Sequence, residues 1–204
     1  MNLNTKTLAL LGAFALVSVP LVAAALDDGG SNAANKTSAA GSTIEFVGPA
    51  LEATVLATTI KTSAPQDLIF AVTLECALWT TVATIGNDVS EARATVNVKV
   101  LFDGVPVPVS GDDADGSVVF CDRLHRQTTT DLDDEDARIE QYLATRTANA
   151  FNWILPDVGS GVHTVQVVAD LTSQTEGAEA LAEAAIGHRT LIVEPTHLAQ
   201  GFTL

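Results

Sequence analysis

The chain has 204 residues, with 10 Lys+Arg against 25 Asp+Glu for a formal net charge of −15, and it is 47% apolar but only 5% aromatic. The apolar fraction excludes a disordered polyelectrolyte. The acidity excludes non-specific nucleic-acid binding, which needs a basic surface to release counterions.

The N-terminus reads as an export signal. Lys6 and the α-amine form a short basic region, an apolar run follows from Leu8, Pro20 breaks its helix, and Ala23-Ala24-Ala25 supplies a small-residue cleavage pattern. Residues 1–25 are therefore expected to be a signal peptide, and the mature protein to be secreted or held at the cell surface. The alternative is an uncleaved anchor, because residues 8–26 approach the roughly 20 apolar residues that span a bilayer. No later stretch is as apolar, so the mature form is otherwise expected to stay off membranes. Residues 26–42 are small, polar and glycine-containing, and read as a flexible tether. Within them Asn35-Lys36-Thr37 is an N-glycosylation pattern, which makes Asn35 a candidate modified residue in a host that glycosylates.

From Thr43 onward the pattern is β, and residues 43–204 are expected to form a single domain. Weak β runs lie at 43–47 and 51–60. Over 68–82, Leu68, Phe70, Val72, Leu74, Cys76 and Leu78 share one parity, which points Cys76 into the core. Residues 92–102 alternate Ala92, Ala94, Val96, Val98, Val100 and Phe102 with polar residues. Asp103-Gly104 then supplies the positive φ of a tight hairpin. Residues 105–109 return, and Pro106 and Pro108 remove ladder donors, which suits an edge strand. Residues 117–121 carry Cys121. Residues 148–155 alternate through Phe151, Trp153 and Leu155. Residues 156–161 favour a turn, 162–171 form another strand, and 190–194 look like the last, ended by Pro195. Two stretches stay open between helix and strand. Residues 133–144 begin with acids that suit a helix dipole and carry a stripe of Ile139, Tyr142 and Leu143. Residues 178–186 are Ala/Glu-rich.

These segments predict an all-β fold: an antiparallel β-sandwich of seven to nine strands with one disulfide and room for one short helix. The even cysteine count of an exported chain suggests one disulfide, Cys76 with Cys121, the alternative being two unpaired buried thiols. Neither stands in a C-x-x-C arrangement, which argues against redox catalysis and a zinc knuckle. The stretch FNWILPDVGSGVHTVQV, residues 151–167, resembles a segment of Ig-like and fibronectin-III-like extracellular domains, where an aromatic-bearing strand turns at a glycine and returns as His-Thr-Val-x-Val. The resemblance implies Ig-like sandwich architecture and carries no activity. It departs from true Ig domains in that Trp79 follows close behind Cys76 and no Tyr stands two residues before Cys121.

Two acidic segments, 111–116 and 131–136, gather carboxylates in loops. Hard cations such as Ca²⁺ take about six to eight oxygens, which makes Asp113, Asp115, Asp133 and Asp134 candidate Ca²⁺ ligands. The alternative is solvated acidic turns. The EF-hand register is absent, because Gly111 stands where its first acid belongs and a strand follows. No other cofactor is expected. His125, His163, His188 and His197 lack the spacing of a metal pair, and a structural role suits His163. The run from Cys121 to Arg126 concentrates polar chemistry, though Arg123 and Arg126 more simply neutralise acids. No nucleophile elbow, P-loop or dinucleotide fingerprint occurs, so no catalytic residues are assigned and a non-enzymatic protein is expected.

Three functions compete. The first is a secreted or cell-surface structural, adhesive or matrix module, which either self-associates by adding strands to a neighbour's edge or binds another extracellular protein. The second is a ligand- or Ca²⁺-binding module in which residues 122–146 form a lid or site. The third is a secreted hydrolase without a recognised motif, to be tested at His125 and His163.

Overall fold

The computed structural model describes residues 36–42, 45–46, 51–86, 88–109, 114–130, 137–177 and 179–196, all within one unit, Ser31–Leu204. Its strands in chain order are β1 (Thr37–Gly41), β2 (Glu45–Phe46), β3 (Leu51–Thr62), β4 (Gln66–Ile85), β5 (Val89–Phe102), β6 (Val105–Pro106), β7 (Val118–Thr128), β8 (Arg138–Val158), β9 (Gly161–Glu176) and β10 (Leu181–Thr196). Period-two burial is plainest in β4, where every even-numbered residue from Leu68 to Thr84 is buried. One face of the strand meets the core, as the alternation predicts.

The strands form two antiparallel sheets. One runs β1-β10-β4-β8, with β2 also on β10. The other runs β3-β9-β5, with β6 and β7 sharing the far side of β5. The core lies between their inner faces and includes Ile60, Phe70, Leu74, Val98, Trp153 and Leu191. Trp153 donates Nε1–H to the Gly116 carbonyl at 2.8 Å and stacks near Phe120. Gly116 has φ +62°, and a Cβ there would fall 1.9 Å from the Val107 carbonyl oxygen, so only glycine fits. The all-β sandwich with one disulfide is thus present. Cys76 on β4 is bonded to Cys121 on β7, tying one sheet to the other across a Cα separation of 6.6 Å.

Asp103 and Gly104 take φ of 50° and 81° between β5 and β6, the two-residue hairpin that Asp-Gly predicts. Pro106 sits in the two-residue strand β6 at the sheet margin, where a missing ladder donor does least harm.

Several expectations are corrected. Thr37–Gly41, assigned to the tether, is a strand in full register with β10, because its small side chains fit a flat edge. Both ambiguous stretches become strand: β8 begins at Arg138 and β10 at Leu181. There is no helix among the described residues. Residues 156–158 continue β8 through a bulge opposite Gln66 and Leu68, and the connection shrinks to residues 159–160. Pro195 does not end β10: it lies past the last β1 pair, Thr37 with Val193, and among the described residues only β4 flanks the strand there. The proposed lid 122–146 is largely strand, divided between β7 and β8, because β8 lies along the full length of β4. The expected signal peptide, residues 1–25, and tether residues 26–35, Asn35 among them, lie outside the described residues.

Candidate functional site

Each sheet ends on the same side of the sandwich, one in β7 and the other in β8. Among the described residues no strand pairs with the outer edge of either. On the opposite side, edged by β1 and β3, the sheets are drawn together where Thr37 Oγ1 of β1 meets Thr58 Oγ1 of β3 at 2.8 Å. There the buried Arg189 donates to the Val55 carbonyl at 2.8 Å and to the Gly187 carbonyl at 3.0 Å.

The open side is built from the inner face of β7 and the first half of β8. Pairing of Ala92 with His125 and of Ser90 with Gln127 puts both β7 residues on the core face. Pairing of Thr84 with Ile139, Val82 with Gln141 and Thr80 with Leu143 does the same for β8. Their environment is nevertheless wet on the β8 side. Ile139 is 39% exposed and Leu143 44%, although both share the face that β4 buries, while Tyr142 on the outer face is 62% exposed. From Arg138 to Ala144 every residue of β8 is exposed, so both faces of the strand meet solvent.

The seam between these strands is polar. His125 Nε2 donates to Gln141 Oε1 at 3.1 Å, and Gln127 Nε2 to Thr84 Oγ1 at 3.0 Å. Asn149 Nδ2 donates to the Phe120 carbonyl at 2.6 Å. Buried atoms without a hydrogen-bond partner among the described residues gather here too: Thr80 Oγ1, Ser90 Oγ, Arg123 Nη1, His125 Nδ1 and Gln127 Oε1. An unsatisfied buried polar group costs about 1–3 kcal/mol, so this side of the sandwich is less tightly held than the apolar centre. Residues 122–126 stood out in sequence as a polar cluster. Thr84, Gln127 and Gln141 did not, because only strand register brings them together.

Ion pairs stud the surrounding faces. Arg93 grips Asp122 with two bonds at 2.9 and 2.8 Å, and that guanidinium holds the Asp122 carboxyl below the usual range. Arg126 lies 4.0 Å from Glu91, which fits the neutralising role expected of it. On the outer face of the β8 sheet, Glu75 accepts from Arg146 and from His188, whose Nδ1 is 2.8 Å away. The Arg146 bond first, and His188 second, lower the Glu75 pKa to about 2. Arg138 bridges Glu140 and Glu179 at 2.9 and 2.7 Å.

The other predicted residues scatter. His163 faces an acceptor at each ring nitrogen, Nδ1 lying 2.8 Å from the Asp103 carboxylate and Nε2 3.1 Å from the Gly159 carbonyl, and it stacks on Phe102. That is the structural role expected of it, and His163 holds the Asp103 carboxyl below its ordinary value. Asp115 accepts from the Ser117 N–H at 2.9 Å. Asp113, Asp133, Asp134 and His197 lie outside the described residues. Among the described residues no three His, Cys, Asp or Glu are grouped as a metal site. A surface hollow of about 440 Å³ lies at one end, beside Asp88, Thr129 and Glu176.

No family model matches the chain, and no curated protein matches it. Among solved structures, the infectious bursal disease virus Gx strain is similar with a TM-score of 0.31 and 7% identity, over 83% of this chain and 34% of that one. A mutant VP2 protein of the same virus, from derived T=1 particles, is similar with a TM-score of 0.27 and 8% identity, over 81% of this chain and 33% of that one. The chain spans about a third of the length of either.

Proposed function

We propose that this chain is a non-enzymatic, exported structural module, of Ig-like sandwich build, that assembles with further copies of itself through its open side. One observation carries the reading: β8 is 21 residues long, and its outer ladder of N–H and C=O groups has no strand beside it among the described residues. Such an edge is a template for another chain. The inter-sheet disulfide and the apolar leader favour export. The non-enzymatic part rests on the sequence, in which no nucleophile elbow, P-loop or dinucleotide fingerprint occurs.

The test is the mass of the purified exported protein, measured by sedimentation across a hundredfold range of concentration at low and high salt, with negative-stain microscopy of the most concentrated sample. Mass rising with concentration, or visible polymers, is the expected result. A monomer throughout refutes the proposal.

A further inference from the structure

We infer that β8 pairs antiparallel with β8 of a second copy, about a two-fold axis that passes at Leu143. The inference rests on the self-assembly reading above and specifies its contact.

Among the described edges, β8 is the longest regular one. β6 holds Pro106 and only two residues, and β1 has five. β3 is bulged near Val55 and β7 near Phe120. β8 by contrast runs in unbroken register with β4 from Arg138 to Leu155, without proline, lysine or bulge in that span. Short strands, prolines, bulges and charged side chains, lysine above all, are the usual protections of an edge, and of these β8 carries in that span only Arg138, Glu140 and Arg146.

Charge complementarity selects the partner and the register. Arg138, Glu140 and Arg146 are the charged residues of β8 before Asp157, and with Arg138 bridged to Glu140 and Glu179 and Arg146 bonded to Glu75 the acids along this edge are largely neutralised in a chain of net charge −15. Two copies approaching here bring no excess of acid from β8 itself before Asp157. Antiparallel pairing about a two-fold axis keeps inner face beside inner face, so the axis must pass at a residue. Centred on Tyr142, it sets Arg138 opposite Arg146 at both ends. Centred on Ala144, it sets Glu140 opposite Ala148. Centred on Leu143, it sets Glu140 of each copy opposite Arg146 of the other, and like charges oppose nowhere. Directly opposed unlike charges stabilise a ladder and like charges destabilise it.

The same register treats the exposed apolar residues consistently. On the inner face the half-exposed Leu143 meets its own copy, and Ile139 lies opposite Thr147. On the outer face Tyr142 lies opposite Ala144, a small neighbour that leaves room for the ring.

The experiment is a charge-swap series on the full chain, with a cysteine scan alongside. Glu140→Arg and Arg146→Glu each weaken self-association about tenfold, and the double variant restores it. Leu143→Cys, the sole free thiol beside the native bridge, cross-links to its own copy under mild oxidation, and Thr145→Cys does so far less. Each variant's melting temperature confirms that it folds. Restoration together with a cross-link at 143 supports the register. Association in which the double variant is no better than the singles, or in which 145 cross-links and 143 does not, overturns the register while the assembly reading stands. A wild-type chain that never associates overturns both.

Discussion

Reduction of the Cys76–Cys121 bridge should cost the fold about 4 kcal/mol. The bond joins residues 45 apart in sequence, so the closed loop holds the second half of β4, all of β5 and β6, and the start of β7. In the chain-entropy account a cross-link removes about 2.1 + 1.5R ln n cal/mol/K from the unfolded ensemble, which for about 45 residues is about 13 cal/mol/K. At 25 °C that is about 4 kcal/mol. In a domain of this size each kcal/mol moves the melting midpoint roughly 2–4 °C, so the reduced protein should melt roughly 8–16 °C lower. Oxidised and reduced wild type are the right pair to compare. Alanine at both positions would add a packing loss, because Cys76 and Cys121 are buried in the core. Urea titration with and without reductant reads the effect directly, and the slope should also rise as the open chain exposes more surface. A loss under about 1 kcal/mol, with both thiols shown to be free, refutes the entropic argument. It would mean that the unfolded chain is already confined between β4 and β7.

Two further outcomes are expected. Trp153→Phe keeps most of the buried ring but removes the N–H that satisfies the Gly116 carbonyl, and should destabilise by about 1–3 kcal/mol; an unchanged urea midpoint contradicts this. Acid should weaken the fold, because Glu75, Asp103 and Asp122 all have lowered pKa values and bind protons more readily when unfolded. The Glu75 share is fully present above its ordinary value of 4.5 and is lost as the pH falls toward about 2. Thermal melts over that range should therefore fall steadily, and Glu75→Gln should make the fall shallower; equal slopes in the two proteins refute the assignment.

Sequence patterning revealed those parts of the fold that bury a single face. β5, the Asp103-Gly104 hairpin and the inward Cys76 were legible because water on one side and core on the other write a period of two into the chain. β8 was legible only from residue 148 onward. Its first half is wet on both faces, so nothing obliges Arg138 to Ala144 to alternate. Local propensity then pointed toward helix, until register with β4 prevailed. The start of β10 failed likewise, since its alanines are buried beside β4 and local propensity favours helix for them. At the candidate site, His125 and Arg123 drew notice as chemistry beside a strand. Gln141, the partner of His125, and the neighbouring Thr84 are polar residues of ordinary kind, and only the stacking of two sheets gives them meaning.

The irregularity in β10 between Ile186 and Arg189 has a bearing on how the gene can vary. One surplus residue there switches the inward set from even to odd numbers, so that Arg189, Leu191 and Val193 stay inside. Loss of either Gly187 or His188 would return the strand to plain alternation with the same side chains inward, at the expense of the His188 contact with Glu75. A deletion anywhere else in this strand would turn leucine and valine out to water, so length variation in natural sequences of this kind should concentrate at that kink.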